Sequence, residues 1–164
     1  MDLPGEQVAA TLQELGFTHV VWLPDSATGP WEPALEAAPG LRLIRVCREG
    51  EAWGIATGLY LGGRQPLVVI QSTGFFESGD ALRNALFDLK LPLYAIVGHR
   101  SSLVPNSPDT AKKFLEPIVR GWEIDYVILS DASVDGALER LATHVRDCRA
   151  QSKCGVALLP EGRM

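Results

Sequence analysis

Short apolar runs alternate with helix-spaced apolar stripes along this whole chain, and that alternation leaves few folds open. The runs are Val20 to Leu23, Leu41 to Val46, Leu67 to Ile70, Leu93 to Val97, Tyr126 to Leu129 and Val156 to Leu159. Several are continuous rather than alternating, the pattern of strands covered on both faces. Between them Val8, Leu12 and Leu15 form one stripe, and Ala52, Ile55, Ala56 and Leu59 a second. Ala81, Leu82, Ala85, Leu86 and Leu89 form a third, and Val134, Leu138, Leu141 and Val145 a fourth. This order predicts a doubly wound α/β fold, a six-stranded, mainly parallel sheet flanked by helices. At 164 residues, one domain covering residues 1–164 is expected.

Ligands of open parallel sheets bind beyond the carboxyl ends of the strands. Four segments follow strand ends here: Pro24 to Pro33, Arg48–Glu49, Ser72 to Ser78 and Ser101 to Asp109. The net charge of −5 argues against a dedicated nucleic-acid binder, which carries a basic field. No apolar run approaches the roughly 20 residues of a membrane-spanning helix. Met1 to Ala10 lacks the basic segment and apolar stretch of a secretory signal, so a cytoplasmic location is expected. The three cysteines are odd in number and lack close metal-like spacing, which fits free thiols. His19, His99 and His144 show no ligand spacing, and no protein metal site is expected.

The segment from Arg48 to Gly58 is the most informative. Glu49 stands where strand gives way to helix, where the positive end of the helix dipole favours a carboxylate. The helix behind it is small-sided, with Gly54, Ala56, Thr57 and Gly58. Glycine inside a helix costs about 1 kcal/mol against alanine, so close packing is a reason to keep two. The plainer reading is a helix-end carboxylate on a tightly packed helix. The segment Gln71 to Asp80 offers small hydroxyl residues and glycine at a helix start, which suits polar ligands. It is neither a P-loop nor a dinucleotide fingerprint. Its plainer reading is a connecting turn with Ser78 as helix cap. His99-Arg100 and Lys112-Lys113 form either an anion-binding patch or a solvated basic edge. No nucleophile elbow exists, and Cys47 lies in a strand-like run, so a Cys/His hydrolase is poorly supported.

Together these residues resemble the pyrimidine-binding (PYR) domain of thiamine-diphosphate (ThDP) enzymes. Glu49, Gly58, Tyr60 and Gly62-Gly63-Arg64 match that family's spacing. Leu23-Pro24-Asp25-Ser26, Gln71-Ser72-Thr73-Gly74, Gly98-His99-Arg100 and Val156 through Gly162 are similar to the sulfopyruvate and phosphonopyruvate decarboxylase branch. Two stretches depart from it. Thr73-Gly74-Phe75-Phe76-Glu77 is bulkier and more acidic than the usual glycine-rich turn. Pro108 to Lys112 stands where the phosphonopyruvate branch carries a Gln-His pair.

The resemblance implies the alpha subunit of a two-subunit, non-oxidative decarboxylase of a small anionic 2-oxo acid. Glu49 would be catalytic, bonded to N1′ of the aminopyrimidine so that the 4′-nitrogen can act as base. Ser72, Thr73, Gly74 and Phe75 would border the pyrimidine, Phe75 as an apolar wall in an exposed Phe75–Phe76 pair. Asp25 and Ser26 would reach the substrate, with Arg100 and Lys112 as candidates for its anionic group. Glu51 would be structural or face the partner. Mg²⁺ and the diphosphate need a Gly-Asp-Gly partner, a pyrophosphate-binding (beta) subunit. Gly79-Asp80-Ala81 is the one Gly-Asp here and lacks a downstream Asn ligand. Closed symmetry favours α₂β₂ or larger. Two other readings remain open: an acetolactate synthase-like carboligase subunit, and a non-catalytic flavodoxin-like ligand-binding module.

Overall fold

The computed structural model describes residues 2–162. The strands are β1 (His19–Trp22), β2 (Arg42–Arg45), β3 (Pro66–Gln71), β4 (Tyr94–His99), β5 (Asp125–Ile128) and β6 (Gly155–Pro160). They form one sheet in the order β2-β1-β3-β4-β6-β5, with every pairing parallel. All six expected strands are present, and the sheet is wholly rather than mainly parallel.

The helices are α1 (Gly5–Glu14), α2 (Glu32–Ala37), α3 (Glu49–Leu61), α4 (Ser72–Glu77), α5 (Gly79–Arg83), α6 (Ala111–Gly121) and α7 (Val134–Ala150). Strand side chains alternate between two cores, as the pleat requires. Val20, Trp22, Leu67, Val69, Ile96, Ala157 and Leu159 meet α1, α2 and α7. Val21, Val68, Ile70, Ala95, Val97, Val156 and Leu158 meet α3 to α6. The central strands are thus apolar on both faces, while the edge strands β2 and β5 contain no fully buried residue.

Three local expectations are corrected. In α3 the buried face is Ala52, Trp53 and Ala56, whereas Ile55 of the expected stripe is 37% exposed. Trp53 supplies the larger apolar payload and turns the helix toward itself. A Cβ at Gly54 or Gly58 would meet nothing within 4 Å, so close packing within this chain does not explain them. Ser72 to Glu77 is a helix rather than a turn, and Ser78 caps nothing with its hydroxyl, which donates to the Gly74 carbonyl. No membrane-length apolar helix occurs among the described residues.

The chain leaves β1 toward β2 on one side of the sheet and leaves β3 toward β4 on the other. That reversal opens a crevice at the carboxyl ends of β1 and β3. The later strand β6 inserts between β4 and β5, which brings its own end beside that of β4.

Candidate functional site

Glu49 opens α3 at the carboxyl end of β2, and its side chain lies across the backbone of Gly74 in α4. A Cβ at Gly74 would run into Cγ, Cδ and Oε1 of Glu49. Glycine at 74 is therefore what makes room for the carboxylate. Among the described residues no donor hydrogen-bonds to that carboxylate.

The placement of Glu49 is enforced from the acidic end of the same segment. Glu77 accepts from the Gly50 N–H at 2.9 Å and from Arg48 Nε at 3.2 Å. It thereby ties the last turn of α4 to the first turn of α3, satisfying one of the free amides at that helix start. The Arg48 guanidinium, then the Gly50 N–H, hold the Glu77 carboxyl below its ordinary range. Sequence reading saw Glu77 only as a departure from a glycine-rich turn. Glu51 reaches back to the Cys47 N–H at 3.3 Å, a helix-start role.

Ser72 is fully buried, and its Oγ finds no partner. Thr73 is exposed, and its hydroxyl donates to Gln71 Oε1 at 3.2 Å. Phe75 corrects an expectation. It is 1% exposed, its ring 6.4 Å from that of Trp122, so it belongs to the core and offers no exposed wall. The exposed apolar side chains on the segments following β4 are instead Leu103 and Phe114.

Asp25 folds its own loop. Its Oδ1 accepts from the N–H groups of Ala27 (2.8 Å) and Thr28 (2.7 Å) and from the Thr28 hydroxyl (3.0 Å). Trp22 Nε1 donates to that hydroxyl from below at 3.3 Å. Ser26, one residue on, is exposed at the tip.

The two candidate cations are engaged by their own chain. Arg100 Nε pairs with Asp109 Oδ2 at 2.7 Å. Lys112 Nζ donates to the carbonyls of Val104 (2.7 Å) and Pro105 (3.1 Å). Asp109 also receives the Ala111 N–H at 2.9 Å, which fixes the entry into α6. An open cleft of about 440 Å³ lies here, lined by Arg100, Ser101, Ser107, Pro108, Asp109 and Thr110.

At the opposite, amino end of the sheet the fold gathers Asp125, His144 and Cys148, their candidate ligand atoms all within 4.8 Å of one another. Spacing among histidines could not reveal this group, because its carboxylate comes from β5 and the other two from α7. His144 Nδ1 lies 2.5 Å from the Tyr94 hydroxyl, and Nε2 lies 3.4 Å from Asp125 Oδ1. Burial pushes the Cys148 thiol up to about 12. A proton on that sulfur suits hydrogen bonding better than ligation.

Comparison with known proteins gives a consistent picture. Residues 4–113 match the family described as thiamine pyrophosphate enzyme, N-terminal TPP binding domain. The chain is 27% identical over 143 residues to phosphonopyruvate decarboxylase of Streptomyces viridochromogenes, covering 87% of this chain and 36% of that one. It is 38% identical over 60 residues to sulfopyruvate decarboxylase subunit alpha of Methanococcus maripaludis, covering 37% of this chain and 36% of the relative. The matched stretch thus spans little more than a third of either relative. Benzoylformate decarboxylase from Polynucleobacter necessarius shares the fold, with a TM-score of 0.73 at 20% identity, covering 98% of this chain and 30% of that one.

Proposed function

The chain belongs to the thiamine pyrophosphate enzyme family, and from that premise we propose that it is the alpha subunit of a ThDP-dependent decarboxylase of an anionic 2-oxo acid, such as sulfopyruvate or phosphonopyruvate. The observation that carries the reading is Glu49, laid over Gly74 with its carboxylate open to a ligand. ThDP, when bound, supplies the electron sink that lets a 2-oxo acid lose carbon dioxide.

The residues present fit the pyrimidine half of that cofactor. Glu49 would hold the proton balance at N1′ of a bound pyrimidine, and Glu77 and Arg48 fix its helix. Gly74 keeps the approach clear, and the orphaned Ser72 Oγ is a buried polar atom in want of a partner. They do not fit the diphosphate half. Among the described residues, the one group of three possible metal ligands lies at the amino end of the sheet, away from Glu49. We assign Mg²⁺ and the diphosphate to a partner with a Gly-Asp-Gly motif, docked against the carboxyl ends of these strands; the subunit-alpha name of the Methanococcus maripaludis relative supports a separate partner. The assembly is α₂β₂ or larger.

Arg100 is the candidate for the anionic group of the substrate. To serve, it must exchange Asp109 for the incoming anion, and its side chain, 41% exposed, is accessible for that exchange.

The test is calorimetry with ThDP and Mg²⁺ on this chain alone and then with its partner, beside a decarboxylation assay on sulfopyruvate. Weak binding and no turnover alone, with both restored by the partner, are expected, because the diphosphate is the cofactor's main anchor. Tight binding and turnover by this chain alone would overturn the half-site reading.

A further inference from the structure

A pair of carboxyl groups meets at the carboxyl end of the sheet. Asp25 spends Oδ1 on its own loop, while Oδ2 is buried and unpartnered. Glu161, just past β6, is 3% exposed, and its Oε1 is likewise buried and unpartnered. Both oxygens crowd Gly98 of β4, where a Cβ would collide with Glu161 Oε1 and lie 2.9 Å from Asp25 Oδ2. Glycine at 98 is what allows the approach. The Glu161 backbone is fixed by its N–H to Ser102 Oγ (3.1 Å) and by the Leu103 N–H to its carbonyl (3.0 Å).

Two ionised carboxylates cannot stay buried side by side, because like charges repel strongly out of water. One proton between them turns two orphaned acceptors into a donor–acceptor pair with a charge-assisted hydrogen bond. We propose that Asp25 and Glu161 share one proton, and that this proton pins the Ser26 loop over the strand ends, making Glu161 a positioning residue for the substrate side of the site. The last clause rests on the decarboxylase reading; the shared proton does not.

The surroundings agree. Burial first, then the charge of Asp25 and the hydrogen bond to it, push the Glu161 carboxyl up to about 7. Arg100 pulls the other way and Asp109 adds to the rise. His99 Nε2 is turned to the Lys112 carbonyl, and the Lys112 ammonium is turned to Val104 and Pro105, so neither side chain is bonded to the pair. The folded chain holds this proton more tightly than the unfolded chain does. The stability it gives is therefore complete below the ordinary carboxyl range and is lost as pH rises through about 7.

The experiment uses the whole chain with carbon-labelled carboxyl groups, titrated by NMR, with melting and amide exchange followed over the same pH range. One carboxyl is expected to titrate near 7 and to vanish in Glu161→Gln, whose amide still donates to Asp25. Wild-type Tm should fall as pH rises through that value, while the Tm of Glu161→Gln stays flat. Protection of the Ala27 and Thr28 amides should drop on the order of tenfold in wild type across the titration, and not in Glu161→Gln. Titration of Glu161 among the ordinary carboxylates, or protection indifferent to its titration, would overturn the proposal. None of these readouts needs turnover, so a failure of the decarboxylase reading, seen as inactivity with the partner, is separately visible.

Discussion

The two ends of the sheet treat their polar side chains differently. At the amino end Tyr94, His144 and Asp125 bond to one another. Burial pushes the Tyr94 phenol up, so its hydroxyl keeps the proton and donates to Nδ1, which leaves Nε2–H to donate to Asp125. At the carboxyl end Ser72 Oγ, Asp25 Oδ2 and Glu161 Oε1 are buried without partners, and the Glu49 carboxylate receives no donor among the described residues. Cavity size points the other way. Open clefts of about 520 and 610 Å³ flank the amino ends of the strands, against about 440 Å³ beside Arg100. Buried polar groups are normally satisfied, so their concentration without partners locates a binding end better than volume does. Among the described residues the amino end has one exception: Arg149 leaves Nη2 unpartnered while its guanidinium stacks 4.4 Å from the Phe17 ring centre.

The largest expected effect is at Glu49. In the complete complex Glu49→Gln should lower kcat on the order of 10²-fold or more, the scale of lost acid–base assistance, with the fold intact by circular dichroism. Glu51→Gln is the control and should lose about 1 kcal/mol of helix-start stability at most. Gly74→Ala approaches the same site from the other side. Alanine favours a helix over glycine by about 1 kcal/mol, yet here its Cβ would displace Glu49. Activity should fall while stability holds or rises. Near-normal turnover by either Glu49→Gln or Gly74→Ala would break the contrast between the two ends.

Next in size is the anionic group of the substrate. Arg100→Ala should raise KM for sulfopyruvate-like acids roughly 10- to 150-fold, the worth of a charge-assisted hydrogen bond of about 1.5–3 kcal/mol, and should hardly move KM for pyruvate. Asp109→Asn releases the guanidinium from its 2.7 Å pairing and should shift KM the opposite way. Equal changes for both substrates in Arg100→Ala would assign the residue to holding its loop.

These differences in reach also explain what could be read from the chain before folding. The strands and Glu49 were visible because continuous apolar runs and a carboxylate at a strand-to-helix boundary are local signals. Helix α4 was not, since Ser72-Thr73-Gly74 carries turn chemistry and becomes helical only as Phe75 packs into the core. Helix α6 was obscured by Pro117, although Ala111, Leu115 and Val119 bury at helical spacing. The Asp25–Glu161 approach has no local trace at all. It depends on β6 inserting beside β4, which brings the end of the chain back over the loop that follows β1.

The smallest expected effect tests whether the amino end is purely structural. Tyr94→Phe removes one hydroxyl and leaves His144 Nδ1 without its donor. The ring remains, so its contacts in the core are kept and no cavity larger than one oxygen opens. The loss should be about 1 kcal/mol, the net worth of one hydrogen bond. His144 is only 14% exposed at its side chain, so water replaces the donor incompletely and the loss should not fall to zero. Because Asp125, His144 and Tyr94 lie at the strand ends opposite Glu49, binding of ThDP and turnover in the complex should be unchanged within error. A Tyr94→Phe complex that melts like wild type but turns over several-fold more slowly would reverse the assignment, placing the chemistry at the end whose polar groups are already satisfied.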